Sequence, residues 1–320
     1  METLEQLSGR VADLYRRLAT GTLPTQDIVE LPKLFDDTDP IHLANIYKTK
    51  QVTEADVLPL RHFTAKHGVI LDIGAHWGYT AASMRSAGAT SPIISFEALN
   101  AHERCLACLR ELDDAYDYHI GAVSDAPGEV VMYNLVAHGT PITGINSIGG
   151  TTLTEGHAMI TAQASRAYHP TVAKMDLKIG VYRTKSRTLD EILAKEKFWV
   201  TTAKVAAMKI DVEGHETQVL RGALKTVKKH KPLLMIEYGM AVAGMLQLVS
   251  SLGYKQAIRH DDWLEPVDLA PADINNFFYH PDQAAEYAKI GLFKIAAKVK
   301  RVAKTKSKPV RKVKSGKSAK

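Results

Sequence analysis

Residues 69–80 read VILDIGAHWGYT, and this stretch decides the fold. An apolar run of strand length ends in an acid, a turn carries two glycines, and a helical pattern follows. The turn reads GxxxG, not the GxGxxG of a dinucleotide site. In that site the middle glycine lets backbone approach a pyrophosphate. Here His76 stands at that point and crowds a diphosphate. Asp72 repels a phosphate and suits a cation. S-adenosylmethionine fits these demands, because it carries an ammonium, a carboxylate and a sulfonium but no phosphate. Its carboxylate can use N–H groups at the start of the next helix. The second strand, PIISFE, ends in Glu97, 25 residues after Asp72. An acid about 20 residues on is where such folds grip ribose hydroxyls. His76 and Trp77 either line the pocket or pack against the sheet.

Working outward, strand-like runs alternate with helical patterns, which predicts an α/β body with a largely parallel sheet. YDYHIGAVS reads as a third strand and GEVVMYNL as a fourth, antiparallel segment. YKQAI and NFFYHP read as the last strands. Residues 137–187 are rich in Gly, Thr and Ser with weak periodicity, and read as a long lid or acceptor loop. Regular structure resumes at TLDEIL, where Thr188 and Glu191 have capping-box spacing. The domain expectation is an N-terminal helical region over 1–58, a Rossmann-like domain over 59–288, and a tail over 289–320.

In KVAAMKIDVEGHETQ a buried strand delivers Asp211 at its carboxyl edge, and Glu213 and His215 follow as the chain turns into a helix. PLLMIEYG brings Glu237 to the next strand end, 26 residues after Asp211. Ligands of open α/β sheets bind at these carboxyl ends.

LDIGAHWGYTA, SFEALN, GAVSDAPGEVVMY, TLDEIL, KIDVEGHETQVLRGA and MIEYG, in that order, resemble the FkbM family of S-adenosylmethionine-dependent methyltransferases. The resemblance implies a class I methyltransferase fold with a seven-stranded, mostly parallel sheet. It implies methyl transfer to a hydroxyl, such as that of a sugar or small metabolite. Carried onto this chain, Asp72, Gly74, Ala75 and Gly78 match the cofactor motif, Glu97 the ribose acid, and Ser124 and Asp125 the adenine-side segment. Asp211, Glu213 and Glu237 match acidic strand ends. Asp211 or His215 is then the candidate base, with Glu213 and Glu237 orienting the acceptor. A divalent ion such as Mg²⁺ on Asp211 and Glu237 is the less favoured version. The stretch after Tyr133 is longer than the family pattern, so substrate choice does not carry over.

Composition excludes several classes. A hydrophobic share of 45% and a charged share of 24% are globular values. No run reaches the ~20 apolar residues of a membrane span, and residues 1–21 lack a signal-peptide core, so a cytoplasmic protein is expected. The only two cysteines, Cys105 and Cys108, sit in a helical pattern and read as structural. The net charge of +6 belongs to the tail: residues 294–320 hold 12 Lys or Arg and no acid, leaving the rest at −6. A basic amphipathic tail suits an anionic membrane surface or nucleic acid. The alternative function is therefore a nucleic-acid-associated methyltransferase or binding protein guided by the tail. A nicotinamide oxidoreductase is disfavoured by GxxxG and Asp72.

Overall fold

Thr3 and Gln6 form a reciprocal capping box that opens α1 (Leu4–Ala19), whose stripe of Leu7, Val11, Leu14 and Tyr15 is buried. The chain is described from a computed structural model over residues 2–31, 39–148, 155–200, 204–237, 242–268 and 274–294. After α1 come β1 (Ile28–Glu30) and α2 (Pro40–Thr49), the latter capped by Asp39 with Pro40 at its first position. The α/β body then runs β2 (Val69–Ile73), α3 (Tyr79–Ala87), β3 (Ile93–Glu97), α4 (Glu103–Leu112) and β4 (Tyr116–Ile120). The middle of the chain is β5 (Ala122–Val123), β6 (Gly128–Ala137), β7 (Thr140–Ile148), α5 (Glu155–Tyr168), β8 (Leu177–Arg187) and α6 (Leu189–Lys195). β9 (Val205–Ile210), α7 (Glu216–Gly222), α8 (Leu224–His230), β10 (Leu233–Glu237) and α9 (Val242–Ser251) follow. The described chain closes with β11 (Lys255–His260), β12 (Trp263–Val267), β13 (Asn275–Tyr279) and α10 (Ala284–Lys289).

The main sheet has eight strands in the order β12-β11-β13-β10-β9-β2-β3-β4. β10, β9, β2, β3 and β4 are parallel, whereas β13, β11 and β12 are antiparallel to their neighbours. Its central strands are buried on both faces. Ile70, Ile93 and Met235 pack toward α2, α3 and α4, and Leu71, Ile94, Met208 and Leu234 pack toward α6 to α9. Seven strands were expected, and the eighth is β12. Its Pro266 argues against a central strand but is tolerated at an edge, which is where β12 lies.

Residues 137–187 are not a loop, contrary to the sequence reading. β6, β7 and β8, with β1 and β5, build a second sheet in the order β1-β8-β6-β7, with β5 also pairing β8. α1 and α5 cover it through Val11, Tyr15, Ala158 and Ala162. α5 buries alanines where most helices bury leucines, so its amphipathic signal is faint. The N-terminal region is likewise not a separate unit, since α1 and β1 complete this second sheet. Residues 149–154 of the expected loop, and the tail from 295 onward, lie outside the described residues. Cys105 is buried and Cys108 half-buried on α4, as expected. Among the described residues no helix is long and apolar enough to cross a membrane.

Two glycines test this packing. A Cβ on Gly222 would lie 1.9 Å from the carbonyl oxygen of Ser124, where α7 crosses the end of β5. Gly9, inside α1, has open space around it. Gly222→Ala should cost about 1–3 kcal/mol through overpacking. Gly9→Ala should instead stabilise by about 0.5–1 kcal/mol through helix propensity. Shifts of opposite sign in urea midpoints check both.

Candidate active site

The site forms where β2 and β9 end side by side. The Asp211 N–H donates to the Ile73 carbonyl at 2.9 Å, and Gly74 turns away with φ +86°. A Cβ on Gly74 would lie 1.7 Å from the Asp211 carbonyl oxygen, so this crossing admits only glycine. A cavity of about 220 Å³ opens above it. Of the expected site residues, Gly74, Ala75, Glu97, Asp211, Glu213 and His215 line this cavity. Asp72, Gly78, Ser124, Asp125 and Glu237 do not, and each has a physical reason.

Asp72 is fully buried beneath the turn, where Ser95 Oγ donates to Oδ2 at 3.2 Å. Burial pushes its carboxyl up to about 6, against the opposing charge of Lys209. Lys209 is its register partner on β9, so the cation expected beside Asp72 is supplied by the chain itself. Gly78 has φ +88°, and a Cβ there would meet Leu109 Cδ1 of α4 at 2.6 Å, so its glycine makes room for α4. Ser124 Oγ pairs with His215 Nε2 at 2.9 Å, and Asp125 is exposed. The wall on this side is Gly121, Ala122 and Val123, the residues just before the expected pair.

Glu97 is buried in the wall, and two backbone N–H groups grip its carboxylate, His76 at 2.7 Å on Oε2 and Leu99 at 2.8 Å on Oε1. Burial would raise this carboxyl, but the neighbouring His102, His76 and Leu99 N–H hold it below the ordinary value. His76 has the left-handed φ of 50° and both lines the cavity and stacks on Trp77. Burial and the adjacent His102 push the His76 imidazole down to about 4, so it is neutral at physiological pH.

At the other end, Asp211, Glu213 and Glu237 place carboxylate oxygens within 4.8 Å of one another, a spacing that also suits a metal ion. Lys209, 2% exposed, donates to Asp211 Oδ2 at 2.7 Å. Burial works against the charge on Asp211, but Lys209 and a hydrogen bond from Glu237 keep its carboxyl below the usual range. Burial and the Asp211 charge push Glu237 up to about 9, so the shared proton sits on Glu237. Burial and Asp211 likewise push Glu213 up to about 8. Burial lowers His215. Glu216, turned inward, accepts from the Gly214 N–H at 2.9 Å and braces the turn that leads into α7.

Lys209, Glu54 and Met132 of the cavity wall were missed in the sequence. Lys209 is the one charge within β9, and that oddity was its signal. Glu54, which accepts from Thr80 Oγ1 at 2.9 Å, and Met132 of β6 also line the cavity. Tyr15 of α1 is fully buried, and its phenol is raised by burial and by the charge of Glu213. Neither Glu54 nor Tyr15 has a local pattern that announces it, because both arrive by tertiary packing.

The methyltransferase FkbM domain matches residues 72–255, and the chain belongs to that family. A crystal structure of the methyltransferase FkbM from Methylobacillus flagellatus KT is similar at 15% identity and TM-score 0.38, covering 84% of this chain. The chain spans 59% of that protein's length. A precorrin-6y C5,15-methyltransferase from Geobacter metallireducens GS-15 is similar at 7% identity and TM-score 0.30, covering 79% of this chain and 93% of that one. No curated protein matches the sequence.

The proton on Glu237 has a consequence for stability. Its carboxyl rises from 4.5 to about 9 on folding, so between these values the folded state holds a proton that the unfolded chain releases. That contribution is complete below about pH 4.5 and is lost as pH rises through about 9. Glu237→Gln keeps a neutral hydrogen-bonding group and removes the linkage. Urea midpoints of variant and wild type, compared from acid to alkaline pH, should diverge in the variant's favour as pH rises.

Proposed function

We propose that this protein transfers a methyl group from S-adenosylmethionine to a hydroxyl of a glycan or small metabolite. The observation that carries the reading is the meeting of two chemically different walls in one cavity. Gly74, Ala75, Glu97 and Gly121–Val123 offer backbone, one acid and apolar surface, which suits an adenosine. Asp211, Glu213 and His215 offer proton-handling groups beside it. The cavity fits the cofactor on further grounds. His76 fills the space a pyrophosphate needs, and its Nε2 is buried with no partner among the described residues.

Bound there, S-adenosylmethionine supplies an electrophilic methyl on a sulfonium. The protein's own contribution is alignment and proton handling. In-line displacement depends on holding acceptor oxygen and methyl in a near-attack arrangement, and rigid strand ends suit that task. Asp211 is the group best suited to take the hydroxyl proton. Lys209 favours its ionised form, and Glu237 supports it as a hydrogen-bond donor. His215 is less suited, since its Nε2 is engaged by Ser124. Glu213, holding a proton, can donate to an acceptor oxygen.

The Lys209 ammonium already pairs with Asp211 Oδ2, which favours a metal-independent reaction. Glu54, Glu97 and Asp211 face the cavity against that one lysine, a wall that repels a phosphate backbone. This weighs against nucleic acid as acceptor.

Calorimetric titration should detect S-adenosylmethionine and not NAD. A screen of glycans and hydroxylated metabolites with labelled methyl donor identifies the acceptor. Asp211→Asn should lower turnover by about 100- to 10,000-fold, the range of a lost general base, while donor affinity stays within a few fold. Full turnover in that variant would remove Asp211 from the role, and inhibition by a chelator would restore the metal version.

A further inference from the structure

His102 is the residue of this region that packing does not explain. It precedes α4 at the N-cap position, yet its side chain makes no capping hydrogen bond. The imidazole is 0% exposed. Its Nδ1 stands 3.5 Å from Glu97 Oε1, too far for a well-formed hydrogen bond, and Nε2 has no partner among the described residues. Its ring meets the His76 ring edge-on, with centroids 4.2 Å apart. Burying an imidazole with neither nitrogen well satisfied is costly. A phenylalanine or leucine would fill the same space without that cost.

The neighbour that a donor at this place would serve is Glu97. Its carboxylate already has one backbone N–H on each oxygen, from His76 and Leu99. Those two bonds hold the oxygens but leave each with a lone pair to direct. We propose that His102 is the positioning residue of Glu97. Its Nδ1–H closes onto Oε1 and fixes the carboxylate plane, so that the lone pair left on Oε2 accepts an O–H of a vicinal diol. The inference rests on the cavity taking S-adenosylmethionine, whose ribose supplies that diol. His76 joins the same assembly: its N–H holds Oε2, and its ring braces His102. A histidine two turns of logic away from the ligand is thereby tied to ribose recognition without touching it.

Calorimetry with S-adenosylhomocysteine and its 2′,3′-dideoxy analogue tests this. In the wild type the diol ligand should bind more tightly. His102→Phe, which keeps the ring and removes both nitrogens, should weaken S-adenosylhomocysteine about tenfold, the scale of one hydrogen bond, and the dideoxy analogue less than about twofold. His102→Asn, whose amide nitrogen can stand where Nδ1 stands, should recover most of the loss. Equal weakening of both ligands would reduce His102 to a structural residue, and unchanged binding of both would overturn the proposal outright. A wild type that binds neither ligand would instead overturn the cofactor reading. Should His102→Phe fail to fold, ¹⁵N-histidine NMR of the wild type decides: the His102 Nδ1 resonance must shift on adding S-adenosylhomocysteine, and an unmoved resonance overturns the proposal.

Discussion

One main-chain contact organises this molecule: the Asp211 N–H on the Ile73 carbonyl, made possible because residue 74 has no side chain. It brings the ends of β2 and β9 so close that the two turns leaving them diverge over a common cavity. One turn carries Gly74, Ala75 and His76, and the other carries Glu213 and His215. Neither turn alone makes a site. Parallel strands leave their carboxyl ends on the same edge, and the crossing fixes how far apart those ends lie.

The charge distribution at this crossing follows from burying one lysine among acids. Lys209 neutralises part of the negative charge of Asp72, Asp211 and Glu54, and its donation at 2.7 Å selects Asp211 as the carboxyl that stays ionised. The remaining carboxyls, Glu213 and Glu237, answer burial by holding protons. Two kinds of carboxyl therefore stand within one cluster, one acceptor and two donors, and such separation of neighbouring groups is what acid–base chemistry at neutral pH requires. Breaking the cluster by removing its cation would leave uncompensated buried charge, which is costly.

The second sheet completes the enclosure. β6 brings Met132 to the cavity wall, and α1, lying across that sheet, brings Tyr15 within the field of Glu213. Beside the main sheet the chain thus carries a second layer, built from α1 and β1 of the N-terminal region and from strands within the matched family domain. β6, β7 and β8 belong to this layer, which reaches the cavity through Met132 and through Ala122 and Val123 of β5.

Residues 69–80 and 209–223 were legible because their chemistry is local. An apolar run, an acid and a glycine turn can be read from neighbours in the chain, and so can the strand ends at Glu97, Asp211 and Glu237. The roles of those residues were less legible. Asp72 reads as a cofactor residue and faces Lys209, Gly78 reads as part of the cofactor motif and makes room for Leu109, and Ser124 reads as cofactor wall and holds His215. In each case the partner comes from a distant strand or helix, and no local pattern records it. The second sheet escaped for the same reason, since β7 and α5 gain their burial from β6 and α1 and show little periodicity of their own. The sequence by itself determined the α/β class, the strand-end acids and the glycine crossing, because backbone geometry and alternating burial act over a few residues. Only the tertiary structure decided which acid keeps its charge and which residues face the cavity, because desolvation and charge pairing depend on groups brought together from across the chain.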